Sequence, residues 1–184
     1  MNTLVEAAAQ MFSREGIATT TNRIAERAGL SIGTLYQYFP DKLALLHLLA
    51  QRHVRDADRA LTVVFGRLRA SDPPFDVAMR EILAAVVALH ADRPRLHALL
   101  HRMAPRSAEE LAAVQAFEDR ICAEVAYHLQ RCGRGAADGR ADVEVTARTV
   151  VHTVDAQLHR VMTGTSLDVE ALVQTVNRIA PPPA

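Results

Sequence analysis

Between residues 32 and 42 the side chains able to hydrogen-bond a partner collect on one side of a short helical segment. Stepping 100° per residue from Leu35 brings Phe39 to nearly the same side. The opposite side then carries Gly33 and Gln37, flanked by Thr34 and Tyr36. Gln37 offers a paired donor and acceptor that suits adenine in the major groove of DNA. Thr34 offers a hydroxyl to phosphate or a methyl to thymine, and Tyr36 a phenol to phosphate. Gly33, lacking a side chain, lets the start of the helix approach a backbone or base edge. Lys42 follows Pro40-Asp41 and adds a cation where helix-start amides already favour phosphate.

Histidines make a second set. His97 and His101 are four apart, a spacing that can grip a metal from one helical face, and His90 lies one short segment earlier. His152, Asp155 and His159 also share a face, at offsets of three and four. Asp155 would orient a histidine for acid–base work in an enzyme, or these groups would hold zinc. No nucleophile and no third metal ligand stands at a diagnostic spacing, so no catalytic residue, metal or cofactor is expected. Asp155 with His152 and His159 is instead expected as a polar contact in a dimer interface or a handle for a polar ligand group.

The elements that position the first set read as a helix-turn-helix. Ile24, Ala25 and Ala28 form an apolar face at helical spacing. Gly29 suits the left-handed turn, Ser31 is a good N-cap for the next helix, and Leu30 and Leu35 are expected to fill the angle. Gly16 ends a first helix. Leu43 to about Ala70 predicts one long helix, broken by Pro73-Pro74, then Phe75 to Ala91 and Arg95 to Met103. Ser107 with Glu110 reads as a capping box for a helix reaching Arg131. Gly133 to Gly139 is a loop, and Val143 to Thr163 and Leu167 to Ala180 are the last helices. No strand pattern and no repeat is found, so the fold class is all-α.

Residues 4–49 resemble the DNA-binding domain of the TetR family of bacterial transcriptional regulators. The resemblance rests on Ala8, Phe12 and Gly16, on Thr20 to Ala25, and on Gly33 to Lys42. It implies an N-terminal three-helix DNA-binding domain (1–41) and a C-terminal helical ligand-binding and dimerisation domain (42–184). It further implies a homodimer on double-stranded palindromic operator DNA, most often a repressor released by a small-molecule effector. DNA contacts carry over to Thr20, Thr21, Thr34, Tyr36, Gln37, Tyr38 and Lys42, with Ser31 and Gly33 at the same helix start. Ile32 departs from the pattern, since many relatives carry a polar residue there. The chain begins at Met1-Asn2-Thr3, directly on the first helix, where many relatives have a short basic arm; either the arm is lacking or the given start is late.

The resemblance also implies a ligand cavity among the central helices. Its expected lining is Phe75, Met79, Val86, Met103, Phe117, Ile121 and Tyr127, with His97, His101, His152 and Asp155 as polar groups. A solid core would use the same apolar residues. Ala147, Val150, Val151, Val154, Leu158, Val161 and Met162 make one stripe, and Leu172, Val173, Val176 and Ile179 another. Helices 143–163 and 167–180 are therefore expected to form the dimer.

Composition fits a regulator without singling one out. The 184 residues are 49% hydrophobic and 23% charged, as in a globular chain. Arginine plus lysine balance the acids at 21 each, and Lys42 is the sole lysine. In residues 1–50, Arg14, Arg23, Arg27 and Lys42 face Glu6, Glu15, Glu26 and Asp41. Motif geometry, not net charge, points to DNA, and a shallow salt dependence is expected. No long apolar run or signal pattern is found, so the chain is expected in the cytoplasm and not at a membrane. Cys122 and Cys132, ten apart on one helix, are too distant for a disulfide and read as reduced thiols. A second reading is a helical ligand-binding or metal-dependent protein that uses the His/Asp sets and does not bind DNA.

Overall fold

A computed structural model describes residues 1–103, 105, 107–135, 140–161 and 168–183. Among these residues the chain forms α-helices and no strand. They are α1 (Asn2–Glu15), α2 (Thr21–Ala28), α3 (Ile32–Tyr38), α4 (Lys42–Ser71), α5 (Phe75–Ala91), α6 (Pro94–Leu100), α7 (Ala108–Arg131), α8 (Arg140–Ala156) and α9 (Val169–Ile179). Two compact units emerge. The first holds Met1–Asp56 and Asp92–Glu110, the second Ala57–Ala91 and Leu111–Ala184.

In the first unit, Leu4, Ala8 and Phe12 of α1 are fully buried against Ile24, Ala25, Leu35, Leu45 and Leu46. Removing this apolar surface from water holds three short helices that would not persist alone. Thr20 caps α2 by accepting the Arg23 N–H at 3.3 Å. At its other end Gly29 takes a left-handed conformation (φ 68°), and the N–H groups of Gly29 and Leu30 close onto Glu26 and Ala25 carbonyls. Leu30 does not fill the angle between the helices as expected. The left-handed turn swings it past the end of α2, where it is 38% exposed, and Ile24, Ala25 and Leu35 close the angle without it.

Ser31 Oγ accepts the Thr34 N–H at 3.0 Å and so starts α3. Asp41 does the same for α4, accepting the Ala44 N–H at 2.7 Å. The segment expected to reach Met103 ends as a helix at Leu100, and Leu96 and Leu100 join the core of the first unit. Ser107 accepts the Glu110 N–H at 3.1 Å, the cap expected at the start of this helix. The Glu110 carboxylate also accepts from the Gln51 side-chain amide at 2.7 Å, a charge-assisted bond.

The second unit is built around Leu68, Phe75, Met79, Ile82, Leu129, Val150, Leu172 and Val176. Within it α5 and α8 both pack on α9. Asp168 caps α9, accepting the Glu170 N–H at 2.9 Å. The α8 segment passes after Ala156 into a π turn, Gln157–Val161. The expected helix end at Thr163, the start at Leu167, Met162 and the end of the 133–139 loop lie outside the described residues.

The stripes expected to face a second subunit face inward instead. Ala147, Val150, Val154 and Leu158, and likewise Leu172, Val173 and Val176, are buried in the subunit's own core. Spacing shows that a helix has an apolar face, but not whose surface covers it. Cys122 is buried and Cys132 half-buried, both free, and burial pushes the Cys122 thiol up from its ordinary range.

Candidate nucleic-acid interface and effector region

The outward face of α3 is set by what its inward face buries. Leu35 is fully buried and Phe39 nearly so, and this holds Gly33, Tyr36, Gln37 and Tyr38 in solvent. Tyr36 and Tyr38 are 51% and 55% exposed, large aromatic areas for a domain whose other aromatic side chains, Phe12 and Phe39, are buried. Tyr36 Oη and Thr21 Oγ1 lie 3.1 Å apart, tying α3 to the start of α2. Thr20 beside them is exposed. Thr34 is half-buried, and its hydroxyl is 2.9 Å from Ser31 Oγ. Ser31 is thereby held as a cap at the exposed start of the helix. Ile32, the residue that departs from the family pattern, packs partly buried against the first unit's core.

Lys42 is tethered. Its Nζ donates to the carbonyls of Ile17 at 2.7 Å and Thr19 at 3.2 Å, closing the turn ahead of α2. An ammonium has three donors, so one remains for an oxygen outside the protein. The arginines of this unit are largely engaged: Arg23 pairs with Glu15 at 2.7 Å and Arg27 donates to Gln10 at 2.9 Å. The balanced charge of the sequence is thus carried into local ion pairs and hydrogen bonds.

The residues expected to line a ligand cavity fall in two groups. His97, His101 and Met103 belong to the first unit. There His97 is buried, with its ring against His53 at a centroid distance of 4.5 Å and 6.2 Å from His101. Phe75, Met79, Val86, Phe117, Ile121, Tyr127, His152 and Asp155 belong to the second. Phe75 and Met79 are closed into its core, with Val86 and Ile121 packed partly buried against them. Phe117 is half-buried, and His152 and Asp155 are exposed on α8. His152, with Val145, Arg148, Thr149, Thr153 and Ala156, lines an open groove of about 530 Å³ on the outward face of that helix.

Spacing gave no sign of a buried polar network in the second unit. Glu124, 4% exposed, takes a two-point contact from Arg69, with Nε 2.9 Å and Nη2 2.7 Å from Oε2. The Arg69 guanidinium also lies over the Tyr127 ring, 4.4 Å from its centroid. His128, one turn on, is fully buried with Nε2 3.3 Å from Glu124 Oε1. Arg131 forms an ion pair with Asp72 at 2.9 Å and donates to the Pro73 carbonyl.

Burial holds the His128 pKa below the ordinary 6.5, against the opposing pull of Glu124. The folded chain therefore binds this proton less readily than the unfolded chain. Stability from His128 is present above about pH 6.5 and is lost as pH falls through the lower folded value. Urea unfolding at about pH 7.5 and pH 5.5 should show that loss, and His128→Gln should flatten the slope; an unchanged slope would remove His128 as its source.

A helical protein with a short, outward-facing helix after a tight turn, followed by a larger helical unit, is of the helix-turn-helix class. Residues 4–49 match the family described as bacterial regulatory proteins, tetR family, and residues 74–180 match the tetracyclin repressor-like C-terminal domain. The chain belongs to the TetR family, and is a DNA-binding transcriptional regulator of that ligand-responsive kind.

Solved structures of similar fold agree. A TetR-like transcriptional regulator from Rhodococcus sp. RHA1 is 21% identical with a TM-score of 0.68, over 97% of this chain and 91% of that one. A TetR-family regulator from Streptomyces coelicolor is 19% identical with a TM-score of 0.71, over 97% and 77%. SmeT, solved as a complex with triclosan, is 19% identical with a TM-score of 0.62, over 97% and 90%. At these identities the likeness is one of fold. Among the described residues no helix is long and apolar enough to cross a membrane.

Proposed function

We propose that two copies of this chain bind a palindromic operator through α3 and repress transcription in the cytoplasm until a small molecule releases them. Residues 1–41 do the reading, and 42–184 carry effector binding and dimerisation. The exposed row Tyr36, Gln37 and Tyr38, held outward by buried Leu35 and Phe39, carries this reading. Gln37 reads a base edge, with Gly33 allowing close approach. Thr20, Thr21, Thr34, Tyr36, Tyr38 and the third donor of Lys42 meet phosphates, with Ser31 at the cap.

The dimer forms through α8 and α9, using the outward α8 face of Val145, Thr149, His152 and Ala156 rather than the inward stripe. An effector acts in the second unit. Binding there favours a dimer whose reading helices no longer match successive major grooves, about 34–36 Å apart. A differential affinity of about 1–3 kcal/mol would weaken operator binding roughly 5–150-fold.

Fluorescence anisotropy against DNA upstream of the chain's own gene, with scrambled competitor, tests the reading. Gln37→Ala should relax discrimination at one base pair by about 1–3 kcal/mol while non-specific affinity holds. Lys42→Met should weaken all sequences alike. Equal loss on operator and scrambled DNA with Gln37→Ala would show that Gln37 does not read a base.

A further inference from the structure

We propose that His128 is a proton-operated latch on the turn between α4 and α5. While its ring is neutral it holds Arg131 against that turn, and a proton on the ring drives Arg131 off. The groups involved lie within the second unit and stand on their own side chains, whichever operator or effector the chain takes. They join the end of α4, the turn 72–74 and the last turns of α7.

Each ring nitrogen has one role. A guanidinium only donates, and Arg131 Nη2 lies 3.3 Å from His128 Nδ1, so Nδ1 accepts and the ring hydrogen sits on Nε2. Nε2 faces Glu124 Oε1 at 3.3 Å. The other Nη2 hydrogen of Arg131 goes to the Pro73 carbonyl, and its Nε lies 2.9 Å from Asp72 Oδ1. The turn depends on these holds. Among the described residues, Asp72 alone besides glycines takes a left-handed conformation, at φ 48°. A β-carbon makes that conformation unfavourable, and the two prolines that follow have no N–H to fasten it.

A proton added at Nδ1 meets a cation that cannot yield its own. The accepting lone pair is gone, and two positive charges face each other across 3.3 Å. Which group moves follows from how each is held. His128 is fully buried, and Glu124, which attracts the new charge, is fixed by three bonds from Arg69 of α4. Tyr127 closes the ring's edge, with centroids 5.1 Å apart. The Arg131 side chain is 20% exposed and its partner Asp72 62%, an ion pair for which water competes. Arg131 therefore swings out, and both holds on the turn go with it. Burial first, then Arg131 and Arg69, keep the ring in the closed latch from protonating at its ordinary 6.5, with Glu124 opposing them. Once Arg131 leaves, the ring takes the proton more readily. The latch is thus shut above about pH 6.5 and opens as pH falls through the lower folded value.

The test is amide hydrogen exchange on the full chain between about pH 7.5 and pH 5.5, each rate referred to the intrinsic rate at that pH, with the His128 ring titrated by NMR. The amides of Asp72, Val77 and Ala78 report the turn, since they close on the Leu68 and Pro74 carbonyls. Those of Val173 and Val176, buried in α9, report the rest of the unit. The open population of the turn should rise as His128 protonates, by at most about 10-fold per pH unit for one proton, while α9 holds. His128→Gln, neutral throughout, should abolish the rise. Asp72→Asn keeps a residue that tolerates the left-handed region but removes the charge that holds Arg131. It should loosen the turn already at about pH 7.5 and move the His128 midpoint upward, with the helical circular dichroism unchanged. A ring that stays neutral until the chain unfolds, or one that titrates without a change at the turn, would overturn the latch. So would a rise that persists in His128→Gln, a rise shared equally by α9, or a His128 midpoint unmoved by Asp72→Asn.

Discussion

Thr149→Arg should turn the protein into a monomer and lower its operator affinity by at least about 100-fold. Thr149 lies midway along the outward face of α8, exposed, with Val145 one turn before it and His152 and Thr153 one turn after. Val145 is 64% exposed, a β-branched apolar residue that a lone subunit leaves in water. Small side chains at this spacing let a second helix approach closely, and an arginine in their midst brings a charge that a tight contact cannot hydrate.

Within a single chain the same substitution costs little. The Thr149 hydroxyl only donates back to the Val145 carbonyl, at 2.8 Å. Surface changes of this kind alter stability by about 0.5 kcal/mol or less. The affinity loss follows from linkage. On the proposed function, the seven-residue α3 would contact a single groove, and the second half-site would bind at high effective concentration only while the subunits are joined. Light scattering gives the mass and anisotropy the affinity, on the same sample. A dimeric Thr149→Arg with parent-like affinity would move the subunit interface off this face.

The first unit was legible from sequence because local chemistry decides it. Thr20, Gly29 and Ser31 end and start helices through bonds that span three to five positions, so their roles stand in the order of the residues. Leu35 and Phe39 fix which side of α3 faces out, and 100° per residue is enough to find it. Long-range pairing was not legible. The partner of Arg69 is 55 residues on, that of His90 69, and that of Gln51, the Glu110 carboxylate, 59. Likewise the valines of α8 announce an apolar face, but packing on the subunit's own core could not be told from packing on another subunit.

Arg69→Ala should destabilise the fold by about 2–3 kcal/mol, because it strands a carboxylate that water barely reaches. Glu124 is 4% exposed, and Arg69 satisfies it through three bonds of 2.7–3.2 Å. Breaking a buried pair from one side costs about 3–5 kcal/mol, but the Arg69 side chain is 52% exposed, and the space it leaves admits water that solvates part of the charge. The neighbouring His128 does not replace the cation near neutral pH, since burial favours its neutral form. Losing the guanidinium over Tyr127 adds a smaller term, about 0.5–1 kcal/mol at an exposed site.

Against a total of about 5–15 kcal/mol this is a large fraction. It corresponds to a melting shift of roughly 5–10 °C for a chain of this size. The paired change Arg69→Met with Glu124→Leu should cost less than Arg69→Ala alone, since it removes the buried charge together with its partner. Arg69→Ala and the double variant unfolding at the same denaturant concentration would mean that packing around Arg69 and Tyr127, not the stranded Glu124 charge, sets the loss. Helix α4 carries Arg69 and α7 carries Glu124, so the pair joins two helices whose register apolar contact alone leaves loosely specified.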